Sequence, residues 1–347
     1  MSGQALQAPA AAPRARDTAP VPHPGAARTT PAPRPPRRRF GLTGYAFVAF
    51  PLAVLLVFTL IPTLAGLLLS FFDWSGGALW TPDTGWRLPA FVGLANYERL
   101  LADRDIRHGL VNTFAFVLCS VPPTVLFAFL LAVALDAEWF RGRTLVRTVI
   151  FMPTIVSIVA IGFVWRWFLN DSDGALNWFL RAFGWQSPPS WLTQGYWPLF
   201  WIIAVQVWRG VGFCLVLYLA ALQGVSRSLY EAAALDGAGR LQTIRHITWP
   251  SVRPMTAFLV VTGVIGALQV FDLVFVMTGR SATTYTTVLN LEVYEQFKVG
   301  SYGYAAAIGA LIFVITIAAT AVQLLAFSPR RAVERRPARR PNPGSQA

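Results

Sequence analysis

Long apolar runs separated by short polar stretches organise the chain, at about 43–70, 110–135, 145–168, 197–222, 255–277 and 304–327. Each run holds at least ~20 residues, which at about 1.5 Å per residue crosses a hydrocarbon core of about 30 Å as a helix. The period-two alternation of barrel strands is missing, so helices are predicted. Pro51, Pro62, Pro122, Pro123 and Pro153 fall inside or near the ends of these runs. Inside a bundle, neighbouring helices re-satisfy the carbonyls that proline frees. The pattern predicts an all-α integral membrane protein with six transmembrane helices over residues 43–327. Flanking tails, 1–42 and 328–347, are too poor in large apolar residues and too rich in Pro, Ala and Arg to fold, and are expected to be disordered. The first apolar run is too long and too far from Met1 for a cleavable signal.

Composition sharpens this. Hydrophobic residues make up 55% of the chain and charged residues 13%, about half the usual charged share of a soluble protein. A net charge of +13 does not indicate a nucleic-acid partner, because the charges sit in the segments between and beyond the runs. With the N-terminus inside, the inner segments carry 20 Arg and the outer ones 7 Arg or Lys. The positive-inside rule then places both termini in the cytoplasm, with membrane lipid as the surrounding partner. Trp74, Trp80, Trp86, Trp191 and Trp197 fall on the outer side, where interfacial aromatics are expected. Cys119 and Cys214 lie in apolar runs without metal-ligand spacing, and His23, His108 and His246 are scattered. No metal site, disulfide or catalytic constellation is expected.

The loop between the fourth and fifth runs has the most structured chemistry. Ser228 and Glu231 have capping-box spacing ahead of the helix-forming stretch Leu229–Leu235. Asp236-Gly237 supplies a turn in which Gly237 takes positive φ. A second short helix is expected from about Arg240 to Ile247, stopped by Pro250 and Pro254. The segment Leu229-Tyr-Glu-Ala-Ala-Ala-Leu-Asp-Gly-Ala, with Ile247-Thr-Trp-Pro250 and Pro254, resembles the EAA signature of binding-protein-dependent ABC importers. Ile244, where an aromatic is usual, and Trp249, where leucine is usual, are departures that remain large and apolar. Leu69-Ser-Phe-Phe-Asp-Trp74, Phe91-Val-Gly-Leu-Ala-Asn-Tyr97, Trp165-Arg-Trp-Phe168, Trp208-Arg-Gly-Val-Gly-Phe213, Gln269-Val-Phe-Asp-Leu273 and Gly303-Tyr-Ala-Ala-Ala307 extend the resemblance over roughly 44–328. They resemble the carbohydrate branch, similar to the maltose and glycerol-3-phosphate importers. Arg280-Ser-Ala-Thr-Thr-Tyr-Thr-Thr287 departs from the Gly/Pro-rich stretch that the family often carries there, which puts in question how this outer loop meets the binding protein.

The resemblance implies the type I ABC importer permease fold in the plasma membrane of a bacterium. It also implies cytoplasmic ATPase subunits in two copies, an extracytoplasmic solute-binding protein, and a second related permease subunit forming a heterodimer, although the sequence itself leaves a homodimer open. The coupling residues would be Tyr230, Glu231, Ala232, Ala233, Asp236 and Gly237. Glu231 would face a basic group on the ATPase, Gly237 would permit the turn, and the alanines would allow close approach. No G-x-x-x-x-G-K-[ST] occurs in the chain, so ATP hydrolysis is expected on the separate subunit, with no cofactor and no enzymatic role here.

Charges inside the runs mark the solute path, because intramembrane charges usually face a cavity or a partner. Arg209 and Asp272 lie within runs, and Arg166 lies near an outer end, where it is expected to snorkel. Arg209 and Asp272 approach each other only if Arg209 stretches outward. Sugars need flat aromatic faces and polar groups for hydroxyls, so Trp208, Arg209, Gln269, Phe271 and Asp272 are the pathway candidates. Asn290, Glu292, Tyr294 and Glu295 lie outside the last runs, either against the binding protein or on a solvated helix face. A non-sugar solute such as a polyol or phosphate ester, and an ion-coupled carrier, are the competing readings.

Overall fold

The computed structural model describes residues 42–328, except 78, 79, 82, 84, 87, 88, 137–141 and 280–282. Nearly all of both tails lies outside the described residues, as do the side chains of Trp80 and Trp86. The chain divides into two units, residues 1–54 and 55–347. The described part of the first, residues 42–54, lies in helix α1 (Leu42–Leu55), which has Pro51 inside it and exposes Phe47, Val48 and Phe50.

The second unit opens with a π-helical turn, Leu56–Leu60, and α2 (Ile61–Leu69). Two short antiparallel ladders follow: β1 (Phe72–Asp73) with β4 (Ala90–Phe91), and β2 (Trp80–Thr81) with β3 (Gly85–Trp86). Helix α3 (Ala95–Ala102) clamps this region to α2. The Asn96 side chain donates to the carbonyls of Ser70 and Phe72 at 2.9 and 3.0 Å, and the Tyr97 hydroxyl meets buried Ser70 Oγ at 2.6 Å.

Helix α4 (Arg104–Asp136) runs straight through Pro122 and Pro123. Its main partner is α8 (Trp197–Gln223), and the fully buried Phe116, Ala128, Leu215 and Tyr218 lie in the core these helices share with α11. Between α4 and α8 come α5 (Arg143–Ile155), α6 (Ile158–Phe168) and α7 (Ala175–Ala182). The single run expected at 145–168 is thus two helices meeting at 97°. Val156 and Ser157 are extended at the joint, one turn after Pro153. The halves follow different partners. Helix α5 crosses α8 at Gly212, where a Cβ would strike the Ile150 carbonyl, whereas α6 packs through Gly162 on Val276. Trp191 is buried in a small cap around α7, where its indole N–H donates to Asn177 Oδ1 at 2.5 Å.

The chain continues through α9 (Arg227–Leu235), α10 (Arg240–Thr243), a π turn (Ile244–Thr248), α11 (Trp249–Leu268) and α12 (Asp272–Thr278). It ends with α13 (Leu289–Lys298) and α14 (Tyr302–Phe327). The fifth run also differs from its expected bounds of 255–277. Arg240–Leu268 is one long helical segment, and the chain then unwinds at Gln269–Phe271 before α12. Pro250 and Pro254 do not stop it. Pro250 sits in the first turn of α11, and the widened π turn before it shifts the bonding register, with Trp249 N–H reaching the Ile244 carbonyl. Among the described residues, five helical segments are long and apolar enough to cross a membrane, or six with α5–α6 taken together. Leu118, Leu126, Leu130, Val314, Ile317 and Leu325 stand exposed on them, as a lipid-facing surface requires.

Candidate functional site

Two places combine specific chemistry with specific geometry: the loop at the α9 end of the bundle, and a cavity midway along α8. In the loop, helix α9 starts two residues earlier than the spacing suggested. Extended Ser226 (φ −62°, ψ 130°) takes the N-cap position, and Ser228 lies within the first turn. The Ser228–Glu231 capping box therefore does not form. Ser228 Oγ instead meets Ser226 Oγ at 2.8 Å, and Glu231 is left exposed. Ala232 is exposed, Ala233 is half-buried, and half-buried Tyr230 brings its hydroxyl to 3.4 Å from Thr248 Oγ1.

Helix α9 ends in a Schellman turn. Ala238 N–H reaches the Ala233 carbonyl at 2.9 Å and Gly237 N–H reaches Ala234 at 3.1 Å, with Gly237 at φ 74° and Asp236 exposed at the C-cap. Gly239 then opens α10, its N–H donating to Gln242 Oε1 at 2.9 Å. Leu235, at 90% exposure, and Leu241, at 78%, flank the turn as bare apolar knobs. Both departures from the signature are packing residues: Ile244 joins the core and Trp249 meets Phe129 edge-on at 5.2 Å.

The cavity, of about 490 Å³, is walled by α4, the α5–α6 joint, α8, α11 and the unwound Gln269–Phe271. Arg209, Gln269, Phe271 and Asp272 all line it, so four of the five pathway candidates come together. Trp208 does not. Neighbouring helical residues point about 100° apart, and Trp208 turns to a separate apolar groove, edge-on to Trp165 at 5.9 Å. Arg209 and Asp272 share the cavity but form no ion pair within 4.0 Å; among the described residues, the ion pair formed is Lys298–Glu295 at 2.9 Å. Exposed Arg166 lies with its guanidinium against Gly279.

The cavity also presents residues that the sequence pattern did not single out. Ser120 Oγ, Gln206 Oε1 and Arg209 Nε are buried with no hydrogen-bond partner among the described residues, and all three residues line this one space. Thr154 joins them, its hydroxyl donating to the Arg209 carbonyl at 3.0 Å. Buried polar groups are normally paired; among the described residues seven side-chain atoms are buried and unpaired, and three of the seven belong to side chains that line this one cavity.

Near the opposite end of α8 from α9, the Asn290–Glu295 group occupies α13. Glu295 pairs with Lys298 on an exposed face, whereas Glu292 is half-buried. Burial, then the carboxylates of Asp105 and Asp103, hold the Glu292 carboxyl above its usual range, against a side-chain hydrogen bond from Gln296. The segment 283–288 is firmly tied: Asn112 donates to the Thr284 and Thr287 carbonyls at 2.9 Å each, and Thr113 Oγ1 accepts from Leu289 N–H at 3.2 Å.

The sequence profile of the family described as "Binding-protein-dependent transport system inner membrane component" matches residues 100–331. The chain is 32% identical to the probable ABC transporter permease YurN of Bacillus subtilis, over 80% of this chain and 93% of that one. It is 31% identical to the trehalose/maltose transport system permease MalF of Thermococcus litoralis, over 81% and 92% respectively. The lactose transport system permease LacF of Rhizobium radiobacter is 32% identical, over 85% and 97%. A crystal structure of a bacterial ABC transporter that imports the acidic polysaccharide alginate superposes with a TM-score of 0.72 at 25% identity, covering 85% of this chain and 97% of that one. A second structure of a bacterial alginate ABC transporter, bound to a periplasmic protein carrying an alginate pentasaccharide, gives a TM-score of 0.71, also at 25% identity, over 82% and 93%. The architecture is accordingly that of a type I ABC importer permease. The chain belongs to the family of membrane components of binding-protein-dependent transport systems.

Proposed function

We propose that this chain is one permease subunit of an ATP-driven importer and forms half of the translocation path for a sugar or related carbohydrate delivered by an extracytoplasmic solute-binding protein. The observation that carries the reading is the cavity: three buried polar atoms without protein partners, in a chain whose relatives include trehalose/maltose and lactose permeases. The exposed α9 turn is the dock for a cytoplasmic ATPase, two copies of which serve the assembled importer. Glu231 and Asp236 meet basic groups of the ATPase there, and Leu235 and Leu241 supply apolar contact. Tyr230 braces the turn against the span, Ala232 and Ala233 let the ATPase approach closely, and Gly237 shapes the turn. A second, related permease subunit closes the other half of the path. Residues 43–327 form the membrane domain, with both tails and the α9 turn on the cytoplasmic side of the plasma membrane. Closure of the ATPase pair rocks the spans between outward- and inward-open states.

Arg209 favours one variant of this reading, a solute carrying an acidic group such as a uronate or a phosphate ester. Uptake of labelled neutral sugars, uronate oligomers and sugar phosphates by cells carrying the whole importer tests both. Uptake should vanish with a hydrolysis-dead ATPase and with Glu231→Ala, while the variant chain still reaches the membrane in normal amount. Uptake that persists in both identifies an ion-coupled carrier and removes the importer reading.

A further inference from the structure

We propose that a second solute subsite adjoins the central cavity, so that this permease passes saccharides of two or more linked units; the inference rests on the carbohydrate reading above. A cavity of about 880 Å³ lies between α2, α13 and the first half of α14. Gln269 and Phe271 line both this space and the central one, so the two meet where the chain unwinds between α11 and α12. Each cavity falls within the range of about 300–1,000 Å³ that holds one small ligand.

The second space offers what sugars require. Trp74, Tyr294 and Tyr302 bring ring surface to it, set in place by their neighbours: Trp74 and Tyr302 lie 5.2 Å apart, and Tyr294 lies 5.4 Å from Phe271. The carboxamides of Gln269 and Asn290 also line it and make no hydrogen bond among the described residues, which leaves donors and acceptors for hydroxyl groups. Two helical glycines, Gly66 and Gly309, line the same space with nothing within 4 Å of where a Cβ would stand. Glycine is the least favourable helix residue after proline, and no neighbour demands its small size at either position. What the two glycines preserve is open volume.

The test compares saccharides of different length in the intact importer. Labelled one-, two- and three-unit saccharides built from glucose, galactose, xylose and uronate are offered to cells carrying the wild type, Gly309→Leu or Asn290→Ala. Gly309→Leu fills the space while improving helix propensity, so it should fold. Both variants should lower uptake of two- and three-unit saccharides about tenfold, the effect of losing a good hydrogen bond or its space, and leave one-unit uptake within a factor of about two. An equal fall at all lengths would mean impaired docking of the binding protein and overturns the subsite. Loss of the second membrane subunit on purification of Gly309→Leu would make the space a helix-packing surface, with the same consequence. A wild type that carries only single units also defeats the inference while sparing the carbohydrate reading. A wild type that carries no saccharide removes both.

Discussion

Arg209 holds its Nε in a buried position with no partner among the described residues. A buried donor left unmade costs about 1–3 kcal/mol, and more when charged, so packing alone would favour Leu or Met there. Arg209→Leu should therefore raise the thermal midpoint of the purified importer while cutting uptake by about tenfold or more. A lower midpoint with unchanged uptake would make Arg209 a structural residue. Its position was legible in the sequence because ionisable residues in apolar runs are rare. Ser120 and Gln206 were not, since a lone neutral polar residue in such a run equally suits helix–helix hydrogen bonding. Trp208 was misplaced for the complementary reason: its chemistry fits a sugar, but its helical direction sends it elsewhere. Glu292 shows the same dependence on partners distant in sequence, because Asp103 and Asp105 reach it from the junction of α3 and α4. Its carboxyl pKa is raised by folding, so the fold favours the protonated form. That contribution is fully present below the ordinary carboxylate pKa and is lost as pH rises through the raised value. Glu292→Gln should melt higher than wild type near neutral pH and converge with it in acid. Parallel melting curves across that range would rule out Glu292 as the titrating group.

At the scale of elements, helix existence was written in apolar length, and helix breaks were not. The residues Phe151–Phe163 stay apolar or uncharged straight through the joint at Val156–Ser157, and no period changes there. The 97° bend reflects what each half packs against: α5 follows α8 through Gly212, and α6 follows α12 through Gly162. Gly212 is the sharper test, since its added Cβ would meet main-chain carbonyl and Cα atoms that cannot swing aside. Gly212→Val should lower stability by about 1–3 kcal/mol through overpacking, seen as a lower thermal midpoint and reduced membrane yield. Gly266→Ala, where the new methyl group meets open space, should hold or raise the midpoint, because alanine is the better helix residue by about 1 kcal/mol. Equal behaviour of the two variants would mean that α5 and α8 separate readily. The loop after α8 was the most legible element, because Gly237 and the alanines act within one turn. Even there the cap moved by two residues, from Ser228 to Ser226, since either serine satisfies the local chemistry and the chain path leaving α8 selects between them.

Across the whole molecule, the segment Arg240–Leu268 links the two functional places. Its 29 residues make a rod of about 44 Å at 1.5 Å per residue. One end adjoins the exposed α9 turn, and the other runs into the unwound Gln269–Phe271 that lines both cavities. Had Pro250 and Pro254 ended a separate short helix, the loop and the span would meet at a flexible joint, and displacement at the loop would dissipate there. The π turn Ile244–Thr248 carries the helix past those prolines, and buried Thr248 with Trp249 against Phe129 fixes its direction. With the ATPase docked at the α9 turn as proposed, continuity through this turn is the mechanical requirement for coupling. The double variant His246→Gly, Ile247→Gly weakens helix propensity by roughly 0.5 kcal/mol per site at residues that line neither cavity and leave the Tyr230–Thr248 contact in place. The assembled importer should still form and still bind loaded binding protein. Stimulation of ATP hydrolysis by that protein, and uptake with it, should fall by about tenfold, because the signal has to pass through the altered turn. Full stimulation in a correctly assembled double variant would show that the loop and the cavity communicate by another route, with α8 the remaining helix that joins them directly.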